Sequence, residues 1–160
     1  MNPHRERLPS LARGAAAVEF GIVLTLMLLI TAGIFEFARA FQYYDALAKA
    51  TRDGARYMSD APKATISSVA VGKAQGLVVA AANAANLKPA LTNGDVVVTC
   101  TPAACADGTA PGCVEVSISG YTITIGGVMP FVSGTTSYTG IPLAPHTTMR
   151  YMIDPVPACP

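Results

Sequence analysis

The sequence predicts an α+β protein with a long N-terminal helix, a second helix and a small antiparallel sheet of three or four strands. Three observations support this prediction. Ala15–Phe35 is an apolar stretch of 21 residues with a single charge. Apolar residues then recur at helical spacing as far as Asp53. After the turn sequence Asn93-Gly94-Asp95, apolar and polar residues alternate, which is the period of a β-strand.

The composition is that of a membrane-associated or densely buried chain. Of the 160 residues, 51% are hydrophobic and only 13% are charged, about half the usual charged share. This length is enough for one domain. The formal net charge of +1 offers no strongly basic surface, so nucleic acid is not an expected partner.

The apolar stretch Ala15–Phe35 is predicted to span a membrane. As a helix it rises about 31 Å, which is close to the thickness of the hydrocarbon core. Arg5, Arg7 and Arg13 precede it, and the positive-inside rule keeps such a short basic arm in the cytoplasm. The residues after Phe35 are then expected on the far side of the membrane.

A secretory signal peptide is the alternative, with Ala38-Arg39-Ala40 as its cleavage site. The apolar stretch is long for a signal peptide, and Glu19 lies near its start. An acidic residue deep in a bilayer costs about 2.5–3.5 kcal/mol. We therefore expect Glu19 to have a partner, and we favour a permanent anchor.

The segment Arg13–Phe20 (Arg-Gly-Ala-Ala-Ala-Val-Glu-Phe) resembles a type IV prepilin processing site. The resemblance implies that Gly14, Ala15, Glu19 and Phe20 form this site. It further implies that a prepilin peptidase cuts after Gly14 on the cytoplasmic face, which makes Glu19 the fifth residue of the mature chain.

Two further segments, Glu36–Arg39 and Ala50–Tyr57, resemble the conserved block of TadE-like proteins, the pseudopilins (minor pilins) of tight-adherence, or Flp, pilus systems. The resemblance covers about Arg13–Met58. It implies a non-enzymatic subunit of a pilus assembly and secretion machine, without a cofactor. It also implies a single-pass protein of the bacterial inner membrane, with a cytoplasmic N-terminus and a C-terminal domain in the periplasm or pilus. The implied partners are a prepilin peptidase, other pilin-like subunits, inner-membrane pilus assembly proteins and membrane lipid.

Cleavage after Gly14 would create an α-amine on Ala15, which has an ordinary pKa near 8 and is largely protonated at neutral pH. In a packed fibre this amine would be a buried cation, and Glu19 is the acid within reach. The resemblance implies that Glu19 neutralises the N-terminus of a neighbouring subunit, an ion pair that specifies register more than it adds stability. The alternative is that Glu19 merely lies among the lipid headgroups.

The first helix is predicted to continue beyond the membrane for a total of about 40 residues. Glu36 with Arg39, and Asp45 with Lys49, have the spacing of favourable pairs on a helix surface. Gly54 is the first interruption, and the sequence 59–62 (Ser-Asp-Ala-Pro) is a firm end.

One apolar stripe on this helix is predicted to divide between two surroundings. Its members are Phe37, Phe41, Tyr44, Leu47, Ala48 and Thr51. The distal half is expected to pack against the chain's own C-terminal domain, and the part near Phe35–Tyr44 is available to partner helices. Arg52, Asp53 and Arg56 form either a solvated face or an assembly contact.

The remaining elements follow from local patterns. A second helix is predicted over Pro62–Asn86, where apolar residues keep helical spacing. The predicted strands are Val96–Thr101, Val114–Ser119, Tyr121–Ile125 after a bend at Gly120, and Thr148–Ile153. The segment Gly126–Pro145 is predicted to be a long loop with room for a short strand. The resulting division is 1–14 leader, 15–35 membrane span, 36–59 extracytoplasmic helix and 60–160 extracytoplasmic α+β domain.

The four cysteines, Cys100, Cys105, Cys113 and Cys159, all follow the membrane segment. An even number in an oxidising compartment predicts two disulfides with three possible pairings. An antiparallel last strand beside Val114 would bring Cys113 towards Cys159, and Cys100 would then pair with Cys105. A bond from Cys100 or Cys105 to Cys113 remains open. A zinc site is disfavoured because the spacing lacks paired C-x₂-C motifs.

Two functions outside the pilus class were weighed. A membrane-anchored extracytoplasmic binding or adhesion protein, not incorporated in a fibre, would share the anchor but would not need Glu19. An exported enzyme is disfavoured because the sequence has no nucleophile elbow, metal motif or phosphate loop.

Overall fold

The computed structural model describes residues 10–125 and 138–153 and confirms the α+β fold class. Its helices are α1 (Ser10–Ser59) and α2 (Val71–Asn83), preceded by a 3₁₀ turn (Lys63–Thr65) and a π turn (Ile66–Ala70), and a further 3₁₀ turn covers Asn93–Asp95. The strands are β1 (Val96–Thr101), β2 (Cys113–Ile118), β3 (Thr122–Ile125), β4 (Tyr138–Pro142) and β5 (His146–Arg150).

Helix α1 has 50 residues without a break and is therefore about 75 Å long. The segment Gly14–Ser59 is long and apolar enough to cross a membrane, with a mean hydropathy of 2.3 in its most apolar window. The predicted interruption at Gly54 is wrong. The glycine lies inside the helix, where the missing side chain lets α2 approach closely, and the helix ends only at Ser59.

Only part of the predicted second helix, Pro62–Asn86, is an α-helix. The 3₁₀ and π turns replace its first turns, and α2 ends at Asn83. The segment Lys63–Asn83 also meets the length and composition test for a membrane span. However, Ala74, Val78 and Ala82 are buried in the core of the domain.

The main sheet is antiparallel in the order β1-β2-β5, so the central strand is β2. Val98 lies opposite Val116, and Val114 lies opposite Met149. Val114 and Val116 are fully buried, and Val116 reaches the surface of α1 at Gly54. The core of the domain therefore lies between this sheet and the two helices.

The remaining strands, β3 and β4, form a separate two-stranded sheet. The predicted bend at Gly120 is present, and its φ of +82° takes the chain out of the main sheet. Part of the predicted loop Gly126–Pro145 is strand β4, and residues 126–137 lie outside the described residues. The predicted strand Thr148–Ile153 is β5, which begins two residues earlier at His146 and ends at Arg150, so the predicted strand residues 151–153 lie outside it.

We predict that Gly54→Ala destabilises the domain. A Cβ at this position would lie 2.5 Å from Cγ2 of Val78 and 3.4 Å from Cγ1 of Val116, and such overpacking costs about 1–3 kcal/mol. The better helix propensity of alanine offsets about 1 kcal/mol of this loss. Urea unfolding of the full chain in detergent, followed by tyrosine fluorescence, measures the change.

The matched control is Gly76→Ala on α2, where a Cβ would meet nothing within 4 Å. This variant should unfold at the same urea concentration as the wild type or at a slightly higher one. Equal midpoints for the two variants would contradict the close contact at Gly54.

Candidate membrane anchor and assembly site

The four residues predicted to form the processing site lie on α1 and are exposed. Phe20 has 67% of its surface accessible, and a Cβ placed on Gly14 would meet no other group within 4 Å. The helix begins at Ser10, so the peptide bond between Gly14 and Ala15 is within a helical turn. The carboxylate of Glu19 lies one turn beyond Ala15 and is accessible to another molecule.

Most of the large apolar side chains of α1 from Val18 to Phe35 are exposed, with accessible fractions of 47–67%. Soluble monomers rarely expose a continuous apolar patch larger than a few hundred Å². This surface therefore needs a non-aqueous surrounding, which a bilayer supplies.

The turn of α1 that follows the apolar stretch is joined to the second sheet. Glu36 is buried, with only 2% of its surface exposed, and pairs with Arg39 at 3.1 Å. The Nη2 group of Arg39 also donates a hydrogen bond to the carbonyl oxygen of Thr124 at 2.9 Å. The prediction that this pair lies on the helix surface is wrong for Glu36, since the spacing in the sequence gives no sign that a strand lies beside this turn.

The predicted division of the apolar stripe is confirmed. Leu47 and Thr51 are fully buried against the domain, and the hydroxyl of Thr51 lies 3.1 Å from that of Thr147 in β5. In contrast, Phe37, Phe41 and Tyr44 are 63%, 71% and 48% exposed. The second predicted surface pair, Asp45 with Lys49, is an exposed ion pair of 2.6 Å.

The charged residues Arg52, Asp53 and Arg56 are exposed on the distal part of α1. Arg56 borders a shallow groove of about 470 Å³ between the end of α1 and the residues around Met149 and Met152. Within the described residues, the guanidinium groups of Arg52 and Arg56 make no ion pair or hydrogen bond. The arrangement is a solvated face in the single chain and leaves both arginines open to a partner.

The cysteines form disulfides in the domain. Cys100 is bonded to Cys105, which excludes a bond from either of them to Cys113. Cys113 is also disulfide-bonded, and it lies opposite Arg150 across the antiparallel pair β2–β5, as expected. Cys159 lies outside the described residues.

The loop that follows the Cys100–Cys105 disulfide is hydrogen-bonded to the start of the second helical segment. The Oδ1 atom of Asp107 accepts hydrogen bonds from the backbone N–H groups of Ser67 at 2.7 Å and Ser68 at 3.1 Å. The N–H of Gly108 donates to the carbonyl oxygen of Lys63 at 2.8 Å. Hydrogen bonds from the Ser68 side chain and then from the two backbone groups lower the pKa of Asp107. This long-range cap, which local sequence patterns do not reveal, satisfies two backbone N–H groups near the start of the segment.

One exposed apolar helix continues into a small α+β domain. These features define a membrane-anchored protein with a pilin-like arrangement. The family model for TadE-like protein matches residues 14–56, which confirms the resemblance found in the sequence. TadE-like proteins are structural components of tight-adherence pili. No curated protein and no solved structure matches the chain.

We predict that the contribution of Asp107 to stability is lost in acid. Its pKa in the folded state lies below the ordinary value of 3.8, so the stabilisation is complete above the unfolded pKa and disappears as the pH falls through the folded pKa. Asp107→Asn retains the acceptor oxygen but removes the charge. The stability difference between wild type and variant should therefore shrink between about pH 6 and about pH 3, as measured by urea unfolding.

The control for this experiment is Asp53→Asn, which removes an exposed carboxylate from α1. If the Asp107 variant showed the same difference from the wild type at both pH values, the charged cap would not contribute to stability.

We also predict that Cys113 is bonded to Cys159, because Cys100 and Cys105 are bonded to each other and Cys113 is itself in a disulfide. Peptide mapping of the membrane-extracted protein without reduction tests this pairing. Recovery of Cys113 as a free thiol, or in a bond between two copies of the chain, would contradict it.

Proposed function

We propose that this protein is a pilin-like subunit of a tight-adherence pilus machine, matured by a prepilin peptidase that cuts after Gly14. The main support is the match to the TadE-like family, which begins at Gly14 and continues along α1 to Arg56. The surface of α1 around Gly14 is accessible, as a peptidase substrate requires. The subunit itself carries out no chemistry, since the peptide bond after Gly14 is the substrate of another enzyme.

In this proposal the mature chain begins at Ala15, and Glu19 pairs with the α-amine of a neighbouring copy or sister subunit. Glu19 is exposed, so the carboxylate is available for this role. The α-amine of the neighbouring mature chain is protonated at neutral pH. Inside a bundle of apolar helices an unpaired charge is strongly unfavourable, so helices that place Glu19 beside an N-terminus are preferred over those in other registers.

The proposed topology keeps the order of the predicted segments without fixing the exact span of the anchor within α1. Residues 1–14 are a cytoplasmic leader, the apolar part of α1 is the anchor in the bacterial inner membrane, and the remainder lies in the periplasm or the pilus. Arg52 and Arg56 are proposed as a second assembly contact with inner-membrane pilus proteins or sister subunits. Their exposure and lack of a side-chain partner within the described residues support this role.

The proposed processing predicts a mature chain that starts at Ala15. The full chain is expressed with and without a prepilin peptidase, extracted from membranes, and analysed by intact mass and N-terminal sequencing. The cut should depend on the peptidase and should be lost in Gly14→Val. A chain that starts at Phe41 would mean a conventional signal peptide and would overturn the proposal.

The assembly step is tested with Glu19 variants in cells that contain the pilus machine. Glu19→Gln keeps the shape of the side chain but removes its charge. It should be cleaved normally and should fail to co-purify with sister subunits, whereas Glu19→Asp should partly restore co-purification. Thr25→Ala, a matched change on the exposed surface of α1, should have no effect. Normal co-purification of Glu19→Gln would instead support a membrane-anchored binding or adhesion protein.

A further inference from the structure

The lipid-compatible surface of α1 extends beyond the apolar stretch seen in the sequence. Glu36 and Arg39 end that stretch in the sequence, but Glu36 is buried and is paired with Arg39. Arg39 retains an exposed side-chain fraction of 40%, and its guanidinium is held by Glu36 and by the carbonyl oxygen of Thr124. Neither Glu36 nor Arg39 therefore exposes an unpaired charge on the surface of the helix.

The side chains that remain exposed after Phe35 are apolar and aromatic. Phe37 and Phe41 are 63% and 71% exposed, values similar to those of the apolar side chains earlier in α1. Tyr44, which is 48% exposed, follows on the same side of the helix. An apolar ring with a polar tip is suited to the lipid headgroup region.

We propose that the lipid-facing band of α1 runs from Phe20 to Phe41, with Tyr44 in the outer headgroup region. Twenty-one helical steps rise about 32 Å, which matches the hydrocarbon core as well as Ala15–Phe35 does. This placement moves the band outward by five or six residues. It puts Glu19 at the inner boundary of the membrane instead of inside the hydrocarbon, so the carboxylate stays hydrated in the unassembled subunit.

The same placement brings the second sheet to the outer boundary of the hydrocarbon core, because the hydrogen bond from Arg39 holds Thr124 beside the last turn of the band. Strands β3 and β4 contain no charged residue, as expected for elements that lie at this boundary. We assign this surface to lipid, not to a partner helix, because it continues the exposed apolar surface of the anchor without an intervening free charge. The inference depends on the membrane anchor and is independent of pilus assembly.

Single-tryptophan variants test the placement, since the chain has no tryptophan of its own. The full-length protein is reconstituted in vesicles of phosphatidylglycerol and phosphatidylcholine, with phosphatidylcholine brominated at different acyl depths. Phe20→Trp and Phe41→Trp place reporters at the two proposed edges of the band. Met152→Trp, at a position that is 69% exposed at the far end of the domain, is the control for full contact with water.

We expect Phe20→Trp and Phe41→Trp to be quenched most strongly by the same shallow bromines. Iodide in the water should quench Phe41→Trp several-fold less than Met152→Trp. A band at Ala15–Phe35 predicts the opposite, with the tryptophan at position 20 quenched by deep bromines and the one at position 41 quenched by iodide. Iodide quenching of Phe41→Trp equal to that of the control would overturn the proposal. Protection of Phe41→Trp from both quenchers would also overturn it and would indicate a covering protein surface.

Discussion

One unbroken helix has to satisfy two different surroundings along its length, and the rest of the structure depends on this constraint. The N-terminal half of α1 exposes apolar side chains on all sides, which only a non-aqueous medium or a bundle of helices tolerates. In the distal half only one face is apolar, and Leu47, Thr51 and Ala55 are buried by the domain. Because Gly54 has no side chain, Val78 of α2 packs directly against the helix backbone. The domain is thus built around the end of its own anchor, so the two cannot tilt independently.

The sequence was sufficient to predict the long helix, the β1 and β2 strands and the exposed aromatic residues near the membrane, since all of these follow from period and composition. It was not sufficient to locate Glu36. Spacing of three residues indicated a pair with Arg39, but the strand β3 that Arg39 contacts is more than eighty residues away in the chain, so local spacing could not indicate that Glu36 is buried. The cap of the second helical segment could not be predicted for the same reason, because it is the side chain of Asp107, which lies 40 residues after Ser67 in the chain. Local propensity predicts a break at Gly54, because the packing of α2 against this glycine is not visible in the sequence.

The candidate site likewise has a part that the sequence could predict and a part that it could not. Gly14, Ala15, Glu19 and Phe20 could be proposed as a processing site from the sequence because such a motif is local, and the structure adds that these residues are accessible. The family match ends at Arg56, inside α1, whereas the surface that covers the distal helix comes from residues beyond it. The family match therefore covers most of α1 and none of the strands.

The contacts of α1 also constrain the order of events during export. The hydroxyl of Thr51 lies beside that of Thr147, 96 residues later in the chain, and just after α1 the hydroxyl of Tyr151 donates a hydrogen bond to the carbonyl oxygen of Ala61 across 90 residues. In the proposed topology the distal half of α1 leaves the membrane before β5 during export, so its apolar face has no native cover until β5 has followed. A truncated chain without β5 would keep a complete anchor but would leave the surface around Thr51 uncovered.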